Sequence, residues 1–422
     1  MKKILYINQY FKHPKEPGIT RSYWIARRLI DAGYSVTMLA HQNTLLRHVK
    51  NVPPVQRLTI DGIDVIYLRN KYENQMGVLA RLRSFLSFMF RATLYAVREK
   101  DVDLVIATST PLSVAFPALV RQLVGRTPFV FEVRDLWPEA AIQLGAIRNI
   151  FVIRLLRWFE RLTYRKACHV VALSPGMRAG VTRYVSGNRT SMIPNMAKID
   201  RFWPRNMNVN LIDEMGLMRD SFKVIYFGQM GVSNGVHVIV DAAKKINTLE
   251  ENIEFVFVGH GKVKEEVEDR IVEEQIDGIH VFERLPMREI SEVVNFCDLS
   301  LVTFANVKIL ETNSPNKLFD SLSAGVPIVV NSAGWTKDLV EQGECGVFVP
   351  PDSPEKLAAM ILALKDDPER LSVYGLNARR LAEETYDKSV LCDQFLEVID
   401  AVWMKNVETR DSEKKSGNGL LV

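Results

Sequence analysis

The chain has 422 residues, of which 47% are hydrophobic and 25% charged, with a formal net charge of +4. That length suits two domains of roughly 150–200 residues each, and the composition is that of a globular protein with sizeable cores. The slight positive charge argues against a general nucleic-acid binder, and no uncharged apolar run reaches the roughly 18 residues of a membrane-spanning helix.

The opening MKKILYINQY is too short an apolar stretch for a signal peptide and is broken by Asn8 and Gln9, so it predicts a first buried strand. From there strand and helix patterns alternate. Strands are expected at Lys3–Asn8, Ser35–Ala40, Ile63–Leu68, Leu104–Thr108, Phe129–Val133, His169–Leu173 and Ser191–Ile193. Helices are expected at Arg21–Ala32, Leu79–Glu99, Pro111–Leu123, Val152–Lys166 and Pro175–Arg183. Residues 197–221 hold no sustained pattern and read as a connection. The alternation then resumes with strands at Lys223–Phe227, Glu254–Val258, His280–Phe282, Leu299–Val302, Pro327–Val330 and Gly346–Val349. Its helices are Val236–Ile246, Lys262–Glu273, Arg288–Phe296, Asn316–Ala324, Thr336–Glu341 and Pro354–Leu364. Such βαβ alternation predicts an α/β protein with two doubly wound, Rossmann-like domains facing a central cleft. The expected boundaries are 1–196 and 222–386 for the domains, 387–405 for a helix packing back on the first domain, and 406–422 for a polar, disordered tail.

Cys168, Cys297, Cys345 and Cys392 are scattered, with no CxxC pair and no His at metal-site spacing. They predict buried thiols in a reducing cytoplasm and no metal site. Residues 148–166 carry six basic residues against the single acid Glu160, and Arg154, Arg157, Arg161 and Arg165 recur at helical spacing. Residues 79–98 place Arg81, Arg83 and Arg91 among Leu, Phe and Met. Helices rich in cations and large apolar groups can lie on anionic membrane surfaces. The same pattern also fits a core-facing helix with a solvated basic edge.

The segment Glu311–Ser332, ETNSPNKLFDSLSAGVPIVVNS, reads as a loop, a helix and a strand. Ser314 suits the N-cap and Pro315 the first helical position, while Gly325 ends the helix before the strand Ile328-Val329-Val330. A helix start with Lys317 in its first turn offers N–H groups, a positive dipole end and an ammonium to a diphosphate. Asp320, one turn on, can accept hydrogen bonds from ribose hydroxyls. An ordinary Ser-Pro helix start with an exposed acid would use the same residues. Two further strand-to-helix turns carry glycines: FGQMGVSNG with Gly228, Gln229, Gly231 and Asn234, and VGHG with Gly259. Glycine there lets backbone N–H groups approach a phosphate, or serves a tight turn sterically. A third turn holds Arg284-Leu285-Pro286.

The order FGQMGVSNG, FVGHG, ERLPMREISEVVNFCDLSLV and SPNKLFDSLSAGVPIVVNS resembles the C-terminal half of glycosyltransferase family 4. FEVRDLWPEA, VVALSPGMR and MIPNMAKIDRF resemble its bacterial surface-polysaccharide (O-antigen and capsule) branch, so that the likeness covers nearly the whole chain except the tail. The resemblance implies a GT-B fold, retention of anomeric configuration and no metal or other cofactor, a UDP-sugar serving as donor substrate. Many members place Arg and Lys in the first glycine turn of the second domain, where this chain has Gln229 and Asn234; diphosphate neutralisation is therefore expected from Lys317 and the Ser314–Asn316 helix start. Where the family often shows two glutamates eight positions apart, this chain has Thr312 and Asp320, with Glu311 one position early. Asp320 is thus expected on the ribose, and Thr312, Asn313 and backbone amides on the donor sugar. In the first domain the loop Gln9–Thr20 is expected over the donor phosphates, with Gly18 as its one glycine.

Arg134, where many relatives have His, can stabilise departing phosphate, while Asp135 or Glu139 can orient the acceptor hydroxyl. Arg134 and Asp135 as a structural ion pair, and Glu139 as a helix-start acid, are the plainer alternatives. The chain is accordingly expected to be a hexosyltransferase that moves an N-acetylated hexosamine or deoxyhexosamine from a UDP-sugar to a polyprenyl-diphosphate-linked oligosaccharide. It would be cytoplasmic, peripheral on the inner membrane face through Arg81, Arg83, Arg154, Arg157 and Arg161, with no nucleic acid as partner. The rivals are a UDP-sugar epimerase of the same architecture and an inactive nucleotide-sugar-binding scaffold. A dinucleotide-dependent oxidoreductase is disfavoured, because no strand is followed by GxGxxG with a downstream ribose acid.

Overall fold

The computed structural model describes residues 2–14, 20–41, 53–70, 77–249 and 252–417. It separates into two compact units, the first holding Thr20–Ile193 with the strand before it and the chain from Leu391, the second Pro194–Val390.

The first unit contains strands β1 (Lys3–Ile7), β2 (Ser35–His41), β3 (Val55–Ile60), β4 (Ile63–Leu68), β5 (Leu104–Thr108), β6 (Phe129–Val133), β7 (His169–Ala172) and β8 (Thr190–Met192). Its sheet runs β3-β4-β2-β1-β5-β6-β7-β8, parallel except where β3 pairs antiparallel with β4. β5 and β6 are buried at every position. That is the signature of a parallel sheet covered on both faces. The helices that cover it are α1 (Arg21–Asp31), α2 (Val78–Arg98), α3 (Ala115–Gly125), α4 (Glu139–Gln143), α5 (Ile150–Lys166) and α6 (Pro175–Thr182).

The second unit continues with α7 (Val209–Glu214), β9 (Phe222–Gln229), α8 (His237–Asn247), β10 (Ile253–His260), α9 (Lys264–Glu273), β11 (Ile279–Phe282), α10 (Met287–Asn295), β12 (Leu299–Val302), α11 (Asn316–Ala324), β13 (Ile328–Val330), α12 (Trp335–Gln342), β14 (Gly346–Phe348), α13 (Pro354–Lys365) and α14 (Pro368–Leu381). Its all-parallel sheet is ordered β11-β10-β9-β12-β13-β14. Alternate residues of β9 serve opposite cores. Val224 and Tyr226 pack with Val236, Ile239 and Phe257, whereas Ile225 and Phe227 pack with Val256, Val293 and Phe296. Period-two alternation between two apolar faces is what a doubly wound sheet requires.

The structure redraws several expected boundaries. Residues 197–221 are built into the second unit rather than linking the two. Phe202, Ile212 and Leu217 in that stretch are buried in the core with Ile225 and Phe227. The last helix, α15, runs Lys388–Gly417 and so extends through most of the stretch read as a disordered tail; residues 418–422 lie outside the described residues. Leu391, Phe395, Ile399 and Val402 are its buried stripe. Asp393 pairs with Arg28, Asp400 accepts from the Tyr34 hydroxyl, and the Lys2 ammonium sits 4.7 Å from the Trp403 ring centroid, so that the helix from Leu391 on belongs to the first unit. Strand β3 escaped the sequence reading because its residues are mostly exposed and carry no core pattern. All four cysteines are free; Cys168 is half-buried and the others buried. Among the described residues, no helix is long and apolar enough to cross a membrane and no cluster of His, Cys, Asp or Glu can hold a metal ion.

Candidate active site

In open α/β sheets ligands bind outside the carboxyl ends of the strands, where the strand order reverses. In the second unit that reversal lies between β9 and β12. Gly228 and Gln229 end β9, and after β12 the chain forms a 3-10 turn, Lys308–Thr312, before α11.

Lys317, in the first turn of α11, is the focus of this place. Its ammonium is buried, has no hydrogen-bond partner, and stands 3.5 Å from the centroid of the Tyr226 ring. Burial pushes it well below its ordinary pKa. Opposite it Gly228 adopts φ +115°, and a Cβ at that position would come within 3.6 Å of Lys317 Cε. That contact is an ordinary one, so it is the positive φ rather than crowding that calls for glycine here. Buried ammonium groups are costly unless an anion compensates them.

The helix start is built differently from the expectation. The N-cap is Pro315, without a side-chain cap, and Ser314 is not the cap. Ser314 Oγ instead accepts from the Asn195 N–H at 3.1 Å, and its carbonyl accepts from Asn195 Nδ2 at 2.5 Å. Asn195 competes for the hydroxyl that would otherwise cap the helix, so the first N–H groups of α11 lack a side-chain acceptor. Gly325 does end the helix in the left-handed region, at φ +66°.

Asp320 is buried and paired with the Lys198 ammonium. Burial raises its pKa, and the charge and hydrogen bond of Lys198 oppose that rise. Thr312 donates to the Ile309 carbonyl at 2.7 Å within its own turn. The Asn313 carbonyl accepts from Trp335 Nε1 at 2.7 Å, and Asn316 is half-buried at the helix start. Gln229 is exposed. Asn234 is committed to shape: its Oδ1 accepts from the Gly231 N–H at 3.2 Å and its carbonyl from Thr303 Oγ1 at 2.8 Å. Gly259 is explained by packing, since a Cβ there would lie 1.8 Å from the Gly228 carbonyl oxygen on the paired strand. Arg284 is exposed, and Leu285 packs on the apolar core beneath α10. Gly18 lies outside the described residues.

In the first unit the order reverses between β1 and β5. A buried network fills that position. Arg21 Nε donates to Glu132 Oε1 at 2.8 Å and its Nη2 to the Ile193 carbonyl at 3.0 Å, while Thr108 Oγ1 donates to Glu132 Oε2 at 2.5 Å. Burial alone would raise the Glu132 carboxyl, but the charges of Arg21 and Arg134 and these hydrogen bonds hold it below its ordinary value. Gln9, fully buried just past β1, has neither amide atom paired.

Arg134 and Asp135 follow β6. The Arg134 N–H donates to Ser109 Oγ at 2.9 Å, and burial lowers the guanidinium's pKa against the pull of Glu132. Among the described residues no ion pair joins Arg134 to Asp135 within salt-bridge distance, and burial pushes Asp135 up to about 6 although Arg134 opposes it. Glu139 begins α4, where it accepts from Gln143 and Arg157, both at 2.9 Å. The hydrogen bond from Gln143 leads in holding its pKa low, with the Arg157 hydrogen bond and charge acting the same way.

The basic helices α2 and α5 share the first unit with α3. Ser84, Phe88, Ala92 and Ala96 form the buried face of α2, and Leu82, Arg83, Leu86, Phe90 and Arg91 are exposed; the Arg81 side chain lies outside the described residues. On α5 the exposed ridge is Phe151, Leu155 and Trp158, with Arg154, Arg157 and Arg161 beside it. Arg161 also lies over the Tyr184 ring, 5.4 Å from its centroid.

The sequence reading did not single out Lys198, Asn195 or Tyr226, and took Gln9 only as the start of the loop expected over the donor phosphates. Lys198 and Asn195 belong to the motif MIPNMAKIDRF, but their partners lie 122 and 119 residues away and no local pattern names them.

Comparison with known proteins agrees with this architecture. Residues 18–196 match the family described as Glycosyl transferase 4-like domain, and residues 210–381 match Glycosyl transferases group 1. The probable glycosyltransferase WbjE of Pseudomonas aeruginosa is 25% identical over 353 residues, which cover 81% of this chain and 85% of that protein. Sucrose-phosphate synthase from Thermosynechococcus elongatus superposes with a TM-score of 0.74 at 14% identity, over 96% of this chain and all of that one (100%). Anabaena Alr3699/HepE in complex with UDP-glucose gives 0.71 at 19% identity, over 95% of this chain and 100% of that one. With a 4-like domain in its first half and a group 1 domain in its second, this chain is a glycosyltransferase of the group 1 family with the GT-B fold.

Proposed function

We propose that this glycosyltransferase moves a hexosyl unit, an N-acetylated hexosamine or deoxyhexosamine, from a UDP-sugar to a polyprenyl-diphosphate-linked oligosaccharide in bacterial surface polysaccharide (O-antigen or capsule) biosynthesis. The observation that carries the donor assignment is the buried, unpartnered Lys317 ammonium beside Gly228 and the uncapped start of α11. A diphosphate supplies the counter-charge that this ammonium lacks, and helix N–H groups supply hydrogen bonds. Asp320 accepts from the ribose hydroxyls. The UDP-glucose complex of Alr3699/HepE, a protein of the same fold, supports the choice of nucleotide.

Transfer proceeds with retention and without a metal or other cofactor. The bond from the anomeric carbon to the diphosphate oxygen breaks, the acceptor oxygen bonds to that carbon on the same face, and the acceptor's proton passes to the departing diphosphate. Lys317 stabilises the charge that develops on the leaving group. Asp135 orients the acceptor hydroxyl, and Gln9 offers an unpaired amide for a sugar hydroxyl.

The lipid-linked acceptor is supported by the surface formed by α2 and α5. Leu86 and Phe90 are 50% and 64% exposed, and Phe151, Leu155 and Trp158 are 75%, 60% and 58% exposed, all among arginines. A surface that is both cationic and apolar fits the anionic inner face of a bacterial membrane, where the protein would sit peripherally from the cytoplasm.

The test is a thermal-shift screen of nucleotide sugars against wild type and Lys317→Ala, followed by transfer to a lipid extract. UDP-sugars should stabilise the wild type alone, with product formed. Stabilisation of both proteins by UDP to the same degree removes the Lys317 assignment. Binding without transfer to any lipid extract supports the inactive-scaffold reading instead.

A further inference from the structure

Lys198 stands in the segment Asn195–Phe202, which follows β8 and lies along α11. The segment is fixed by its backbone. The Ala197 N–H donates to the Tyr386 carbonyl at 2.7 Å, and the Lys198 N–H donates to Ser323 Oγ at 3.0 Å. Arg379 Nη1 reaches the carbonyls of Phe202 and Ser323 at 3.0 and 2.5 Å. With Asn195 holding Ser314, the segment grips α11 just ahead of its start and again near its end. From this anchored backbone the Lys198 side chain, 7% exposed, reaches the Asp320 carboxylate, 11% exposed.

A buried ion pair is an inefficient way to gain stability, because desolvation offsets much of its Coulombic attraction and apolar replacements often do as well. Here the segment is already secured by the backbone bonds just named. The pair therefore calls for a chemical reason. Asp320 sits one turn beyond Lys317 on the same helix, and a carboxylate that must accept two hydroxyl hydrogen bonds needs to be ionised and held in one rotamer.

We propose that Lys198 is a positioning residue for the donor nucleoside: by pairing with Asp320 it fixes the charge and rotamer of the carboxylate that receives the ribose hydroxyls. This rests on the donor-site reading above. It adds a residue outside the glycine turns and outside the helix-start motif to the machinery that selects a ribonucleotide. A lysine contributes here without touching the ligand, by occupying one Asp320 oxygen and leaving the other for the ribose.

The test compares UDP with 2′,3′-dideoxy-UDP, which keeps base and diphosphate and lacks the ribose hydroxyls, by calorimetry on the full chain. Wild type should prefer UDP by about tenfold, or roughly 1.4 kcal/mol. Lys198→Met should lose that preference, by weakening UDP about tenfold while leaving dideoxy-UDP unchanged, and Lys198→Arg should restore it. Lys198→Gln, a polar variant of similar length, provides a second loss of charge should Lys198→Met fold poorly, as judged by melting in the same samples. Equal weakening of both nucleotides, or an unchanged preference in folded Lys198→Met and Lys198→Gln, overturns the inference while the donor-site reading stands. Failure of the wild type to bind UDP overturns the donor-site reading and the inference with it.

Discussion

The Lys317 ammonium lies 3.5 Å from the centroid of the Tyr226 ring and donates to no oxygen. The ring face offers a cation weak compensation. The Tyr226 hydroxyl is itself engaged with the Gln229 carbonyl at 2.6 Å, so the ring is pinned to the turn that ends β9. The result is a buried ammonium with no acceptor on the protein, next to a glycine and a helix start.

This arrangement makes donor binding proton-linked. Burial depresses the Lys317 pKa in the free protein, and a diphosphate bound beside it restores the charged form. The complex thus holds more protons than the free protein, so UDP affinity should fall as pH rises through the depressed pKa. Calorimetry in two buffers of different ionisation enthalpy should show proton uptake in wild type and none in Lys317→Ala. That variant should also bind UDP about 10–100-fold more weakly, the worth of a charge-assisted hydrogen bond. Identical heats in both buffers for the wild type would count against the assignment.

Asp135 should control the acid side of the activity profile. Its pKa is pushed up to about 6 by burial. A carboxyl raised in this way contributes stability that is fully present below its unfolded value and lost as pH rises through about 6. Asp135→Asn should therefore be more stable than wild type above that pH and lack the ascending limb of kcat/KM centred near it. The expected loss of kcat is about 10²-fold, the usual scale for a group that holds a reactant in line. A normal profile in the variant would show that Asp135 stays out of the chemistry.

Replacing Arg154, Arg157 and Arg161 with Glu should release the protein from anionic vesicles. At about 1 kcal/mol for each basic residue near the surface, the partition coefficient should fall at least a hundredfold. Phe151→Ser with Trp158→Ser should weaken binding to anionic and neutral vesicles alike, because it removes apolar insertion rather than charge. Sedimentation with vesicles reads both, and undiminished binding of the triple variant would exclude this surface as the membrane contact.

The Arg21–Glu132 pair, 1% and 0% exposed, should matter for stability beyond any role in binding. Arg21→Met leaves a buried carboxylate without its main counter-charge and should cost about 3–5 kcal/mol in urea unfolding. Adding Glu132→Leu should recover most of that loss. A single-variant cost under about 1 kcal/mol would mean that Arg134 compensates Glu132 alone.

The sequence by itself determined the alternation of strands and helices, because apolar periodicity follows directly from burial on both faces of a parallel sheet. It also determined that α11 begins near Asn316 and ends at Gly325, since proline and glycine act through their own backbone preferences. Lys317 and Asp320 became candidates for a nucleotide site for the same reason: the residue types and their spacing along one helix are local information. What surrounds those residues was decided by tertiary structure. Ser314 is drawn from its expected capping role by Asn195, Asp320 is paired with Lys198, and Asn234 is spent on its own turn. Residues 197–221, patternless as a string, become part of the second unit because Phe202, Ile212 and Leu217 find apolar partners far along the chain. Hydrogen bonds and ion pairs between residues more than a hundred positions apart leave no periodic trace in a sequence. They arise only once the sheet has brought its strand ends together.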